Sequence, residues 1–242
     1  MEIMVLLGKV LVFWVISMII ATMVHEMGHV VMGLLQGWKF YYLVIGPMRI
    51  YREDLNDRIH IGYEKNSALW GGVGATLPKT KEDAKLSIFG KILLAGPLAS
   101  IILGVIAGVL GFVFHSVFFL LLMGCAIGMG GACMIPGVKT GLLYNDGSRF
   151  YRSRQGGQAQ AEEEIVFHEA FRSYFEETKT PMKDIETLRN SKDVEFRYLA
   201  ECYAYENARQ DGNEEEMKAI AEVMKNMKGV PAGVRNMSPE AM

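Results

Sequence analysis

The chain has 242 residues, 50% of them hydrophobic, with three cysteines and a formal net charge of −2. A balance so close to neutral gives no electrostatic case for nucleic acid as a partner. Cys125, Cys133 and Cys202 have no CxxC spacing, which argues against a disulfide scaffold and against a thiolate zinc site.

The first predicted element is an apolar helix. From Ile3 to Val24 the only charge is Lys9, and a helix of that length measures about 33 Å, enough to cross a bilayer core. It continues into His25-Glu26-Met27-Gly28-His29, an HExxH pattern, and is expected to end near Gln36, with Gly37 as its stop. Residues four apart share a helix face, so His25 and His29 can aim both imidazoles at one metal ion. Glu26 stands beside them, placed to take a proton from a water activated there. Ionisable groups inside an apolar span are costly, which favours function over core packing for this triplet. The start is Met-Glu rather than basic, and no small-residue cleavage pattern precedes His25, so a cleaved signal peptide is not expected.

The following loop contains two stretches of alternating polarity, Met48 to Glu53 and Arg58 to Glu64, which predict an amphipathic β-hairpin. Its edge could pair with an extended peptide, or the loop could simply fold on itself in water. Ser67 to Pro78 holds Gly71, Gly72 and Gly74. That segment is too glycine-rich to predict a regular strand, and is expected against the membrane or the active site.

Two further apolar runs, Ile88 to Phe114 and Ser116 to Ile135, predict a helical hairpin turning at His115-Ser116. Gly124, Gly128, Gly130 and Gly131 make one side of the third span thin, as close helix packing favours. Nine Lys or Arg lie between residues 37 and 91, and none at the His115 turn. The positive-inside rule then places that loop and the tail in the cytoplasm and the N-terminus outside.

HExxH supplies two ligands, and a catalytic zinc needs a third. Asp146 is the best-placed carboxylate: it follows the third span, on the side of the zinc helix, and Gly147 lets the backbone turn tightly and come near the metal. Beyond it the chain turns polar. Helical periodicity is expected from Glu162 to Phe175, from Val194 to Arg209 and around Met217 to Met224. The last two form a helix-turn-helix faintly resembling one tetratricopeptide unit.

HEMGH in the first span, Ala95-Gly96-Pro97-Leu98-Ala99-Ser100 in the second, and Ile135-Pro136 followed by Asp146-Gly147 resemble the site-2 protease family of intramembrane zinc metalloproteases. The resemblance covers roughly residues 10–150, in order. It implies that His25, His29 and Asp146 bind Zn2+, that Glu26 is the catalytic base, and that the metal lies below the membrane surface. Relatives usually carry Asn at the positions of Ser100 and Cys133, where it is thought to hold the substrate backbone. Ser100 and Cys133 are therefore candidate substrate-binding residues. Gly137 to Asn145 also separates Pro136 from Asp146 by more than in many relatives, and no PDZ-like or CBS-like domain is recognisable.

The expected fold is a mainly α, polytopic membrane protein with a three-span catalytic core, a β-hairpin in the first cytoplasmic loop and a small soluble C-terminal helical domain. Residues 1–155 would form the core, 156–229 the soluble tail and 230–242 a flexible end. The function expected is intramembrane endopeptidase in a bacterial cell membrane, acting on a membrane-protein substrate, with a protein partner for the tail. Two alternatives stay open: a membrane peptidase for short exported or signal-type peptides, and a non-catalytic scaffold.

Overall fold

The computed structural model describes residues 2–140, 143–175 and 179–231. The flexible end expected from residue 230 lies, from 232 onward, outside the described residues. The chain is mainly helical and divides into two compact units. One comprises Met1–Pro136 and Asp146–Phe150, the other Gly137–Asn145 and Tyr151–Met242.

Three helices of the first unit are long and apolar enough to cross a membrane: α1 (Glu2–Leu35), α2 (Leu86–Val113) and α3 (Val117–Met134). Each ends where the sequence loses its helical licence. Gly37, just past α1, has φ +87°, and His115 at the α2–α3 turn has φ 48°. Large aliphatic side chains such as Leu7, Leu11 and Ile19 stand exposed along α1, the arrangement expected of a surface solvated by lipid rather than water.

Glycine sets how closely these helices approach, although not where the third span's composition suggested. A Cβ on Gly124, Gly128 or Gly131 of α3 would meet nothing within 4 Å. The tight contacts belong mainly to α2, where a Cβ on Gly104 would lie 2.4 Å from Ile127 and one on Gly111 2.7 Å from Leu120. Gly130 is the member of the α3 set that packs, against the Pro97 carbonyl and Ser100. Similarly, Gly28 of α1 lets the helix lie on Ala95 and Ala99 of α2.

The first loop forms a four-stranded antiparallel sheet in the order β3-β2-β1-β4. Its strands are β1 (Lys39–Ile45), β2 (Met48–Tyr51), β3 (His60–Tyr63) and β4 (Val73–Leu77). Strands β2 and β3 fall within the two alternating stretches and pair from Met48↔Tyr63 to Tyr51↔His60. The sheet packs through Leu43 and Ile45 on Val30 of α1. Strand β4 corrects the expectation of an irregular Ser67–Pro78 segment. Pairing with β1 from Lys39↔Leu77 to Val44↔Val73 overrides the low strand propensity of its glycine.

In the second unit a two-stranded ribbon, β5 (Lys139–Thr140) with β6 (Leu143–Tyr144), joins α5 (Gly157–Arg172), α6 (Met182–Arg189), α7 (Val194–Gln210) and α8 (Glu214–Asn226). Ile185, Leu188, Phe196 and Ala200 form the centre of its core. Lys139 bonds Asp193 at 3.1 Å and Glu195 at 2.6 Å, and the Tyr144 hydroxyl donates to Asp193 at 2.6 Å. The segment that looked like an insertion before Asp146 is thus part of the C-terminal fold.

Candidate metal centre

The site is built on the second half of α1, where His25 and His29 are both buried. Their rings lie 5.0 Å apart, centroid to centroid, and nearly perpendicular at 79°. Asp146 opens a short helix, α4 (Asp146–Arg152), rather than sitting in a free turn. That helix is pinned to the end of α3 by close approach. A Cβ on Gly147 would lie 2.7 Å from the Met134 Cα, and the Ser148 hydroxyl donates to the Ile135 carbonyl at 3.3 Å. Gly147 therefore serves by its missing side chain more than by turning the backbone.

This brings three ligand atoms together. The Asp146 Oδ2 lies 3.3 Å from His25 Nε2 and 3.5 Å from His29 Nε2. Among the described residues His25, His29 and Asp146 form a group whose ligand atoms all lie within 4.8 Å of one another. Tetrahedral zinc with bonds of about 2.0–2.1 Å separates its ligand atoms by about 3.4 Å. The donor set and its spacing therefore fit zinc. Burial alone would push the Asp146 carboxyl up, but hydrogen bonding and charge from both histidines outweigh it and hold it well below the usual carboxylate range. The ligand is thus kept as the anion that a cation requires.

Both histidines are oriented from behind by α2. His29 Nδ1 donates to the Ile92 carbonyl at 2.7 Å, and His25 Nδ1 lies 3.0 Å from the Ser100 hydroxyl. Gly96, between those two positions on α2, makes room: a Cβ there would lie 2.2 Å from His29 Nε2. The Ile92 carbonyl carries no sequence signal. Gly96-Pro97 was visible as a motif, but not as the clearance for an imidazole.

Glu26 faces the sheet instead. A Cβ on Gly74 would lie 2.6 Å from the Glu26 carbonyl oxygen, and one on Gly72 2.7 Å from its Oε1. Gly72 has φ +111°, a conformation that disfavours any side chain. The Gly74 backbone N–H donates to the Glu26 carboxylate. With no side chain at either position, β4 can lie directly against the Glu26 side of α1. Of the two remaining sequence candidates, Ser100 is fully buried against His25. Cys133 occupies the last turn of α3, within electrostatic reach of Glu26 and Asp146.

No curated protein and no solved structure matches the chain. A family model does: that of Peptidase family M50, whose members are zinc-dependent, matches residues 13–239. With HExxH on an apolar helix, a buried His-His-Asp cluster and a family match across nearly its whole length, the chain belongs to Peptidase family M50, the site-2 protease family of membrane metalloproteases.

Proposed function

We propose that the protein is an intramembrane zinc endopeptidase that hydrolyses a peptide bond in or near the membrane span of another protein. The observation that carries this reading is the meeting of His25, His29 and Asp146 on a helix apolar enough to cross a bilayer, with Glu26 beside them. His25, His29 and Asp146 would hold the zinc, which supplies Lewis acidity toward a water molecule and the scissile carbonyl. Glu26 takes the proton from the attacking water and returns it to the leaving nitrogen. The Gly74 N–H on its carboxylate fixes where that proton is taken up.

Strand β4 ends the order of the four-stranded sheet and pairs within it to β1, and its other side lies along Glu26, which makes that edge the candidate place for a peptide strand. An extended segment added there would run past Glu26. A helical span must therefore unwind before its bond reaches the site. Cys133, whose backbone carbonyl lies against Gly147, is a candidate contact to that segment. The charged first loop and the tail face the cytoplasm of a bacterial cell, the N-terminus lies outside, and the helical tail recruits a partner or the substrate.

The reading is tested by co-expression with single-span membrane proteins. Wild type should release a cytoplasmic fragment from a substrate, with cleavage depending on Gly or Pro near the scissile bond and absent with Glu26→Gln. Cleavage confined to short soluble peptides would instead make the protein a processing enzyme for exported or signal-type peptides. Full biological effect from the Gln variant would make it a scaffold.

A further inference from the structure

We infer that one face of α2, carrying Ile92, Gly96 and Ser100, is the frame that sets the metal geometry, and that Ser100 is a positioning residue for His25 rather than a contact to substrate. The inference rests on the zinc reading above and concerns only how this chain builds the site. Three residues at i, i+4 and i+8 lie on one helix face. The Ile92 carbonyl accepts from His29 Nδ1 at 2.7 Å, Gly96 leaves the space that His29 fills, and the Ser100 hydroxyl stands 3.0 Å from His25 Nδ1. Each imidazole is thus held at Nδ1, which leaves Nε2 of both rings pointing at Asp146.

The chemistry fixes the proton positions. A carbonyl can only accept, so His29 carries its proton on Nδ1 and offers the Nε2 lone pair. For His25 the partner is a hydroxyl, which could donate or accept. Metal ligation at Nε2 requires the same tautomer as in His29, so Ser100 accepts, and its own proton can go to a helix carbonyl one turn back. Such a partner fixes both the tautomer and the plane of a ligating imidazole. Pro97 completes the device. It lies inside α2, and a proline there lacks the N–H that would meet the Leu93 carbonyl and crowds it with its ring, next to the Ile92 carbonyl that His29 uses.

Burial separates this role from substrate binding. Ser100 is 0% exposed and its hydroxyl is engaged by a residue itself only 5% exposed. A peptide could not reach that oxygen without parting α1 from α2, where Gly28 is packed on Ala95 and Ala99.

The test uses the full chain purified in detergent, with zinc affinity read by competition against a chelator and ligand geometry read from the visible spectrum of Co2+-substituted protein. Ser100→Ala should weaken zinc binding by about 10- to 100-fold and shift the Co2+ bands. Ser100→Thr keeps the hydroxyl and should stay within a few-fold of wild type, with the wild-type spectrum. Circular dichroism on all three proteins distinguishes a lost hydrogen bond from a lost fold. Unchanged zinc affinity and Co2+ spectrum in Ser100→Ala would overturn the inference, and a fall in cleavage alone would return Ser100 to the substrate. Equal losses in Ala and Thr would also overturn it, because the hydroxyl would not be the cause. Failure of wild type to bind zinc would instead overturn the metal reading itself.

Discussion

Replacing Glu26 with Gln should abolish proteolysis while leaving zinc and fold in place. The amide matches the carboxylate in size and can still meet the Gly74 N–H, but it cannot take a proton from water. General-base catalysis by a positioned side chain contributes about 10²- to 10⁴-fold, or about 3–5 kcal/mol of barrier. A loss at least that large in kcat, with unchanged zinc content and unchanged helicity, is the expected result. An Asp at the same position would keep the base but withdraw it by one methylene, and should retain measurable activity. Zinc loss in the Gln variant would mean that Glu26 is a ligand, and the roles given to His25, His29 and Asp146 would need reassignment.

Gly96→Ala should cost the protein most of its zinc. The added carbon would fall 2.2 Å from His29 Nε2 and 2.4 Å from its Cε1. Relief by rotating the ring would break its bond to the Ile92 carbonyl and turn Nε2 away from Asp146. Relief by moving α2 would disturb the contact of Gly28 with Ala95. Either way the metal loses one of three protein ligands, so zinc content in Gly96→Ala should fall well below one per chain, and activity with it. Gly131→Ala supplies the contrast. Its Cβ would meet nothing within 4 Å, and a helix interior gains propensity from the exchange, so zinc content and activity should match wild type. Equal behaviour of the two variants would show that Gly96 does not lie where the structure has it.

These contrasts also explain how far the sequence could be read. His25, Glu26 and His29 were legible because helical periodicity ties their spacing to one face, and the spans because lipid imposes length and composition. Asp146 was reachable through its place just after the third span and through the Asp146-Gly147 resemblance to the site-2 protease family. The structure adds that it heads α4, set in place by Gly147 against Met134. What stayed hidden depends on tertiary contacts. Strand β4 reads as loop because the reason for its Gly74 is the flank of Glu26, a contact far away along the chain that leaves no local pattern. The Ile92 carbonyl cannot be read from any side chain. Helix α6, at eight residues, is too short for its period to stand out. The stretch from Gly137 to Asn145 looked like an insertion because its partners, Asp193 and Glu195, lie some fifty residues on, at separations of 54 and 56 from Lys139.

The central claim is that His25, His29 and Asp146 together hold one catalytic zinc ion. It is tested most directly by elemental analysis of the full chain, purified in detergent from cells grown with zinc. Wild type should carry about one zinc per chain, His25→Ala and His29→Ala should carry almost none, and Asp146→Ala should bind more weakly. Wild-type protein that remains free of zinc, or an Asp146→Ala variant that binds it as tightly as wild type, would contradict the account.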